Sequence, residues 1–169
     1  MLKGFFTDTK FSGVWLALRL ILGWQWLSSG LGKLGNPVWT GDKAGVAVNG
    51  FLQGAVAKAT GDIPAVKPTY AALLEAVAIP NATLFSYLIV FGEILVGLAL
   101  ILGFTTTFAA LMGAFMNFNF MAAGSSSSNP YMFTIAILII AAGPIAGHYG
   151  IDRFIRKYRS KEKEVPQTA

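Results

Sequence analysis

Hydrophobic positions along the chain fall into four long runs separated by polar or glycine-rich breaks. The first extends from about Gly13 to Leu31 and carries one charge, Arg19. The second, about Ala82 to Leu102, also carries one, Glu93. The third, about Thr105 to Ala123, has none, and the fourth, about Tyr131 to Tyr149, has only His148 near its end. A helix needs ~20 apolar residues to cross the ~30 Å hydrocarbon layer of a bilayer, and each run meets that requirement. The pattern predicts an all-α fold, a bundle of four transmembrane helices. The first run is too long for a cleaved signal peptide and is interrupted by Arg19. Short links, Gly103-Phe104 and Gly124 to Pro130, make the last three runs antiparallel neighbours.

A long segment, 32–80, separates the first two runs. Within it Ala44, Val48, Phe51, Leu52, Ala55, Val56 and Ala59 recur at helical spacing, with Lys43, Asn49, Gln53 and Lys58 largely opposite them. That spacing predicts an amphipathic helix at the membrane interface. A second short helix is expected from Thr69 to Ile79, stopped by Pro80, with Asn81 capping the second span. One membrane domain, 13–152, is thus expected, with 32–80 as its extracytoplasmic cap. An N-terminal segment, 1–12, precedes it and a basic tail, 153–169, follows.

Composition supports lipid as the solvent. Of 169 residues, 12% are charged and 54% hydrophobic, against about a quarter charged in a soluble domain. The net charge of +5 gathers at the two ends and in the long loop, which is a topology signal and not a nucleic-acid surface. The tail holds Arg153, Arg156, Lys157, Arg159, Lys161 and Lys163, whereas the longer loop holds only Lys33, Lys43, Lys58 and Lys67. The positive-inside rule then places both termini in the cytoplasm and the chain, multi-pass, in the inner or plasma membrane. A second reading of the tail, as a site for anionic lipid or a partner, stays open. The absence of cysteine excludes disulfides, thiolate chemistry and Cys-ligated metal centres. One histidine excludes bis-histidine haem ligation within one copy, and no metal site is expected. Any redox group is an organic cofactor, a quinone, or a group on a partner.

Charges at membrane depth are costly, so they pair or line a wet cavity. Arg19 lies roughly 10 Å into the first run and Glu93 roughly 13 Å from the same face, at 1.5 Å per residue. These depths predict an Arg19–Glu93 ion pair, read either as a register-fixing contact or as the charged floor of a ligand pocket. A second polar layer holds Gln25 and Asn117, flanked by Trp24 and Trp26 and by Phe115, Phe118 and Phe120. These amides either bond between helices or, with the indoles as walls, hold a quinone-like ring. Asn119 points to a different side of its helix from Asn117. Lys33 is expected to snorkel to the headgroups. His148 and Asp152, one turn apart, are read as an interfacial cap or as a proton relay. GxxxG-like spacings at Ala109…Gly113 and Gly143…Gly147 suit contacts within one bundle or in a homo-oligomer.

Three segments resemble the DoxX/DoxD family of small four-helix bacterial membrane proteins. They are LRLILGWQWLSSGLGKL from Leu18 to Leu34, with its Arg…Gly…Gly-x-x-Lys pattern; GEILVGLALILGFTTTFAAL from Gly92 to Leu111; and AAGPIAGHYGIDRFI from Ala141 to Ile155, where Gly143, Pro144 and Asp152 fall in the closing pattern. The long first loop and NFNFMAAGSSSSNP look most like the thiosulfate:quinone oxidoreductase small-subunit branch. The resemblance implies a quinone-linked role in thiosulfate or thiol redox chemistry alongside a partner subunit. The alternative is a non-enzymatic scaffold or assembly subunit.

Overall fold

The structure, a computed structural model, describes residues 2–164 and the side chains of 4–160. The end of the expected tail, 165–169, and the side chains of Lys161 and Lys163 lie outside the described residues. What is described is helical, with no strand: α1 (Leu2–Thr7), α2 (Ser12–Leu34), α3 (Pro37–Thr40), α4 (Val46–Ala57), α5 (Pro68–Leu73), α6 (Ala82–Leu102), α7 (Thr106–Ala122), α8 (Asn129–Ala142) and α9 (Ile151–Glu164). Among the described residues one helix, α6, is both long enough and apolar enough to cross a membrane.

The first three hydrophobic runs coincide with α2, α6 and α7 to within a few residues. The fourth does not reach Tyr149. Helix α8 stops at Ala142, Gly143 takes φ +54°, and Gly143–Ile145 form a single 3-10 turn. Pro144 explains the break, since it lacks an N–H and pushes the preceding residue away from helical geometry. The long loop folds as α3, α4 and α5, with α5 running into one π turn over Leu74–Ala78. Asn81 does stand at the start of α6, but its amide donates back to the Val77 carbonyl and does not cap the helix.

Helices α2 and α6 run antiparallel in close contact, and small residues make that approach possible. A Cβ added at Gly97 would meet the backbone of Leu27 and Gly23, and one added at Gly30 would meet Ile94 and Glu93. Helix α7 packs on α6 and α8, and α8 returns to α2. The shared core holds Trp15, Leu22, Trp26, Leu100, Ala110 and Ile139. A second, smaller core of Val48, Leu52, Ala55, Leu74 and Ala78 lies under α4 and α5. The molecule therefore has two distinct ends. Helices α3–α5 and the 123–128 linker form the cap end; α1, the 103–105 turn and the start of α9 form the tail end.

The outward faces are apolar. On α6, Leu84, Leu88, Phe91, Leu95, Leu98 and Leu102 are all exposed, spaced by three or four residues. Trp24 on α2 and Phe108, Phe115 and Phe118 on α7 are exposed as well. Patches this large on a protein surface mark contact with lipid or another protein.

Candidate functional site

The antiparallel register of α2 and α6 decides which charges meet. Glu93 packs beside Gly30, whereas Arg19 lies against Gly103 at the other end of α6. The two are about ten residues apart along either helix, or roughly 15 Å. The expected Arg19–Glu93 pair is therefore corrected: both sit in the interior, but at opposite ends.

Glu93 pairs instead with Lys33, whose ammonium lies 2.7 Å from its carboxylate. The Glu93 side chain is 3% exposed and that of Lys33 21%. Lys33 also donates to the Ser29 hydroxyl at 2.6 Å and sits 5.2 Å from the ring centre of Trp39. The expectation that Lys33 snorkels to the headgroups is thus corrected. One turn beyond Gly30, it is turned towards α6, where a buried carboxylate attracts it more strongly than the interface does.

This ion pair forms part of the wall of a cavity of about 480 Å³ at the cap end. Helix α2 contributes Gln25, Trp26, Ser28, Ser29 and Lys33; α6 contributes Ile89 and Glu93; and α7 contributes Phe120. Trp39, Val48 and Phe51 close it from the cap, and Ser125, Ser127, Ser128, Asn129 and Met132 form the remaining side. The volume falls in the range of small-molecule sites, as does the mixture of aromatic walls with a few convergent polar groups. Gln25 donates to the Tyr131 hydroxyl at 2.6 Å, joining α2 to α8 beside the cavity.

Of the residues singled out in sequence, Gln25, Trp26 and Glu93 come together here. Trp24 does not. It is 63% exposed, because positions two apart on a helix point in very different directions, so Trp24 and Trp26 cannot wall one site. Asn117 is fully buried outside the cavity lining, and neither end of its amide has a partner. The Trp26 indole N–H is also buried and unpaired, lying 2.8 Å from where a Cβ at Gly113 would stand. Gly113 and Asn117 share one face of α7, so an unpaired donor and an unpaired amide lie a turn apart behind the cavity. Asn119 points elsewhere, as expected. Its side-chain oxygen accepts from the Tyr70 hydroxyl at 3.0 Å, and burial pushes that hydroxyl above its usual pKa.

Sequence reasoning missed Lys33, Trp39, Phe51 and the serine-rich linker as site residues. A signal for Lys33 was present: Gly23 and Gly30 on α2 face Gly97 and Glu93 on α6, and that register carries Lys33 to Glu93.

The tail end holds the other buried charge. Arg19 is 1% exposed and donates to the carbonyls of Ala146 and Tyr149. Asp152 accepts from the backbone N–H groups of Thr105 at 2.7 Å and Thr106 at 2.9 Å, holding the first turn of α7. Thr105 is β-branched and takes φ +46°, a costly conformation that this carboxylate holds in place. The expected His148–Asp152 pair on one helical face is corrected as well. The chain between them is a turn, α9 begins only at Ile151, and His148 meets the Tyr149 ring edge-on at 5.1 Å.

The fold and site define an all-helical protein with apolar outward faces, a helix long and apolar enough to cross a membrane, and a charged pair set in the wall of a half-open cavity. More particularly, the chain belongs to the DoxD family: a family model described as the TQO small subunit DoxD matches residues 15–167, nearly the whole chain. Comparisons with curated proteins and with solved structures returned no match.

Proposed function

We infer that this chain is a four-span membrane component of a quinone-linked sulfur oxidoreductase of the thiosulfate:quinone type, with a quinone-like ring bound in the cap-end cavity. One observation carries the reading: a buried carboxylate, Glu93, paired with the partly buried ammonium of Lys33, is built into the wall of an aromatic-lined cavity. Such a pair is costly to bury and retains its value where it meets a ligand. The family description supplies the reaction class.

Several features support four spans. Helices α2, α6, α7 and α8 each turn large apolar residues outward, among them Ile21, Leu95, Phe108 and Ile137. Helix α8, at 14 residues, spans roughly 21 Å by itself, and the 3-10 turn after it lengthens the crossing. The basic residues of α9 support a topology with the tail end and both termini on the cytoplasmic side and the cap on the other.

The residues present suit a quinone. Lys33 and Ser29 offer donors to a ring carbonyl, Trp39, Phe51 and Phe120 offer flat apolar faces, and Glu93 can hold or release a proton at its carboxylate. A bound quinone would supply a two-electron, two-proton acceptor. With no cysteine and one histidine, the chain offers no thiol for sulfur chemistry, so oxidation of the donor falls to a partner subunit.

The test is to purify the protein from its native membranes and look for co-extracted quinone by absorbance and mass spectrometry. Quinone retained by the wild type and lost from Glu93→Gln is expected. If no quinone is extracted and none binds when added to the purified protein, the scaffold reading takes its place.

A further inference from the structure

Helix α9 leaves the tail end with a face that the other described residues leave largely open, Ile155 alone on it being half-buried. Ile151, Phe154, Ile155 and Tyr158 recur at i, i+3, i+4 and i+7, the spacing of one apolar stripe. Phe154 is 73% exposed and Tyr158 71%. Around the rest of the helix stand Arg153, Arg156, Lys157 and Arg159, with Arg159 and Lys157 flanking the stripe. An apolar stripe bordered by cations suits a helix lying in the headgroup layer.

The origin of α9 is also fixed in place. The Asp152 N–H donates to the Gly103 carbonyl at 2.8 Å, its carboxylate holds Thr105 and Thr106, and Arg19 holds Tyr149. Gly103 directly follows α6, the helix long and apolar enough to cross a membrane. Helix α9 therefore starts where that span ends, at the height of the bilayer surface. A long helix tethered there, with an apolar stripe on one side and a net positive charge, is suited to lie along a lipid surface.

We propose that α9 is a membrane-surface helix that lays Ile151, Phe154, Ile155 and Tyr158 into the bilayer and holds anionic phospholipid headgroups with Arg153, Arg156, Lys157 and Arg159. Electrostatic attraction of this kind depends on the lipid carrying negative charge and weakens with salt. The inference rests on membrane residence but not on quinone binding.

The chain has no cysteine, so a single introduced thiol can be labelled without background. Spin labels would be placed at Phe154→Cys and Tyr158→Cys on the stripe and at Ser160→Cys on the opposite side. A fourth, at Leu95→Cys on the exposed face of α6, reports whether the chain is embedded at all. The full-length protein is reconstituted into nanodiscs of phosphatidylcholine alone or mixed with phosphatidylglycerol. Collision with oxygen, which concentrates in lipid, is compared with collision with a water-soluble nickel chelate.

In anionic discs the stripe labels should favour oxygen several-fold over Ser160→Cys, and this preference should fall in phosphatidylcholine alone. Neutralising the cations together (Arg153→Gln, Arg156→Gln, Lys157→Gln, Arg159→Gln) should remove the difference between the two lipids. Stripe labels as accessible to nickel as Ser160→Cys, with Leu95→Cys still in lipid, would overturn the proposal. So would equal burial in both lipids, or spin–spin broadening that places the stripe against a second copy of the chain.

Discussion

The two ends of the molecule each bury a charge, and they treat it differently. At the tail end Arg19 spends its hydrogen bonds on backbone carbonyls, those of Ala146 and Tyr149, and Asp152 spends its carboxylate on backbone N–H groups of Thr105 and Thr106. Both side chains satisfy main-chain groups left over where helices end, which is the work of a cap. At the cap end Glu93 and Lys33 bond to each other and to Ser29, beside open volume. A charge that satisfies backbone groups is part of the fold. A charge paired to another side chain at a cavity wall is free to answer a ligand. The difference fits Arg19 to stability and, on the proposed reading, Glu93 to the ligand, although both are single charges within hydrophobic runs.

Replacing Arg19 should give the largest effect. Arg19→Ala leaves two carbonyls without their donor and opens a void under Gly103, costing roughly 3–5 kcal/mol. Thermal unfolding of detergent-solubilised protein would register this as a large drop in Tm or as loss of folded material. Arg19→Lys should recover little, because one ammonium cannot replace a forked donor reaching two carbonyls. A wild-type Tm with ligand binding abolished would reverse the assignment of the two ends.

Glu93→Gln should show the opposite profile. Lys33 keeps some contact with water, so the structural cost is about 1–2 kcal/mol, while quinone retention should fall by about tenfold or more, the equivalent of 1.4 kcal/mol or above. The pair can be tested as a unit. Stabilities of Lys33→Met, Glu93→Leu and the double variant should reveal a coupling of about 1–3 kcal/mol, with the double variant recovering stability but not ligand. Additive effects would mean that the ion pair contributes nothing as a pair.

Asp152→Asn keeps one acceptor but loses the charge on the first turn of α7, an effect of about 1 kcal/mol seen in Tm and not in ligand retention. His148→Phe should leave both unchanged, since the imidazole's ring contact with Tyr149 is one a phenyl ring can also make. A pH-dependent loss of activity in His148→Phe alone would restore it as a proton carrier.

Much of this fold was legible because membrane-type helices announce themselves by composition. The boundaries of α2, α6 and α7 follow from where apolar residues begin and end, and α4 follows from the spacing of Val48, Leu52 and Ala55. The end of α8 was also written in the chain, at Gly143-Pro144, but a hydropathy window averages over a proline that stays apolar. The site was harder to read. Depth along a helix places residues in layers, and by that measure Arg19 and Glu93 are level. Packing depends on register between helices, which is set by where the small residues Gly23, Gly30 and Gly97 let backbones meet. The cavity itself draws on six helices and a linker, and its Ser125–Ser128 side comes from a segment whose sequence reads only as a turn.

A comparably small effect is expected at Trp24, and it tests whether the cavity is bounded as described. Trp24 and Trp26 flank Gln25 in sequence, yet Trp26 is 2% exposed and Trp24 63%. Trp24 therefore stands on the outward face of α2, beside Ile21 and Leu20 in the same apolar belt. Trp24→Leu exchanges one apolar side chain for another at a surface position, where substitutions change stability by about 0.5 kcal/mol or less. Quinone retention should stay at the wild-type level. Trp26→Leu, by contrast, removes a cavity wall and a buried indole N–H, so it should lose ligand and stability together. The two substitutions are chemically identical and two residues apart. If Trp24→Leu releases the ligand as Trp26→Leu does, the ring binds on the outer surface of α2, and the cap-end cavity loses its claim to be the site.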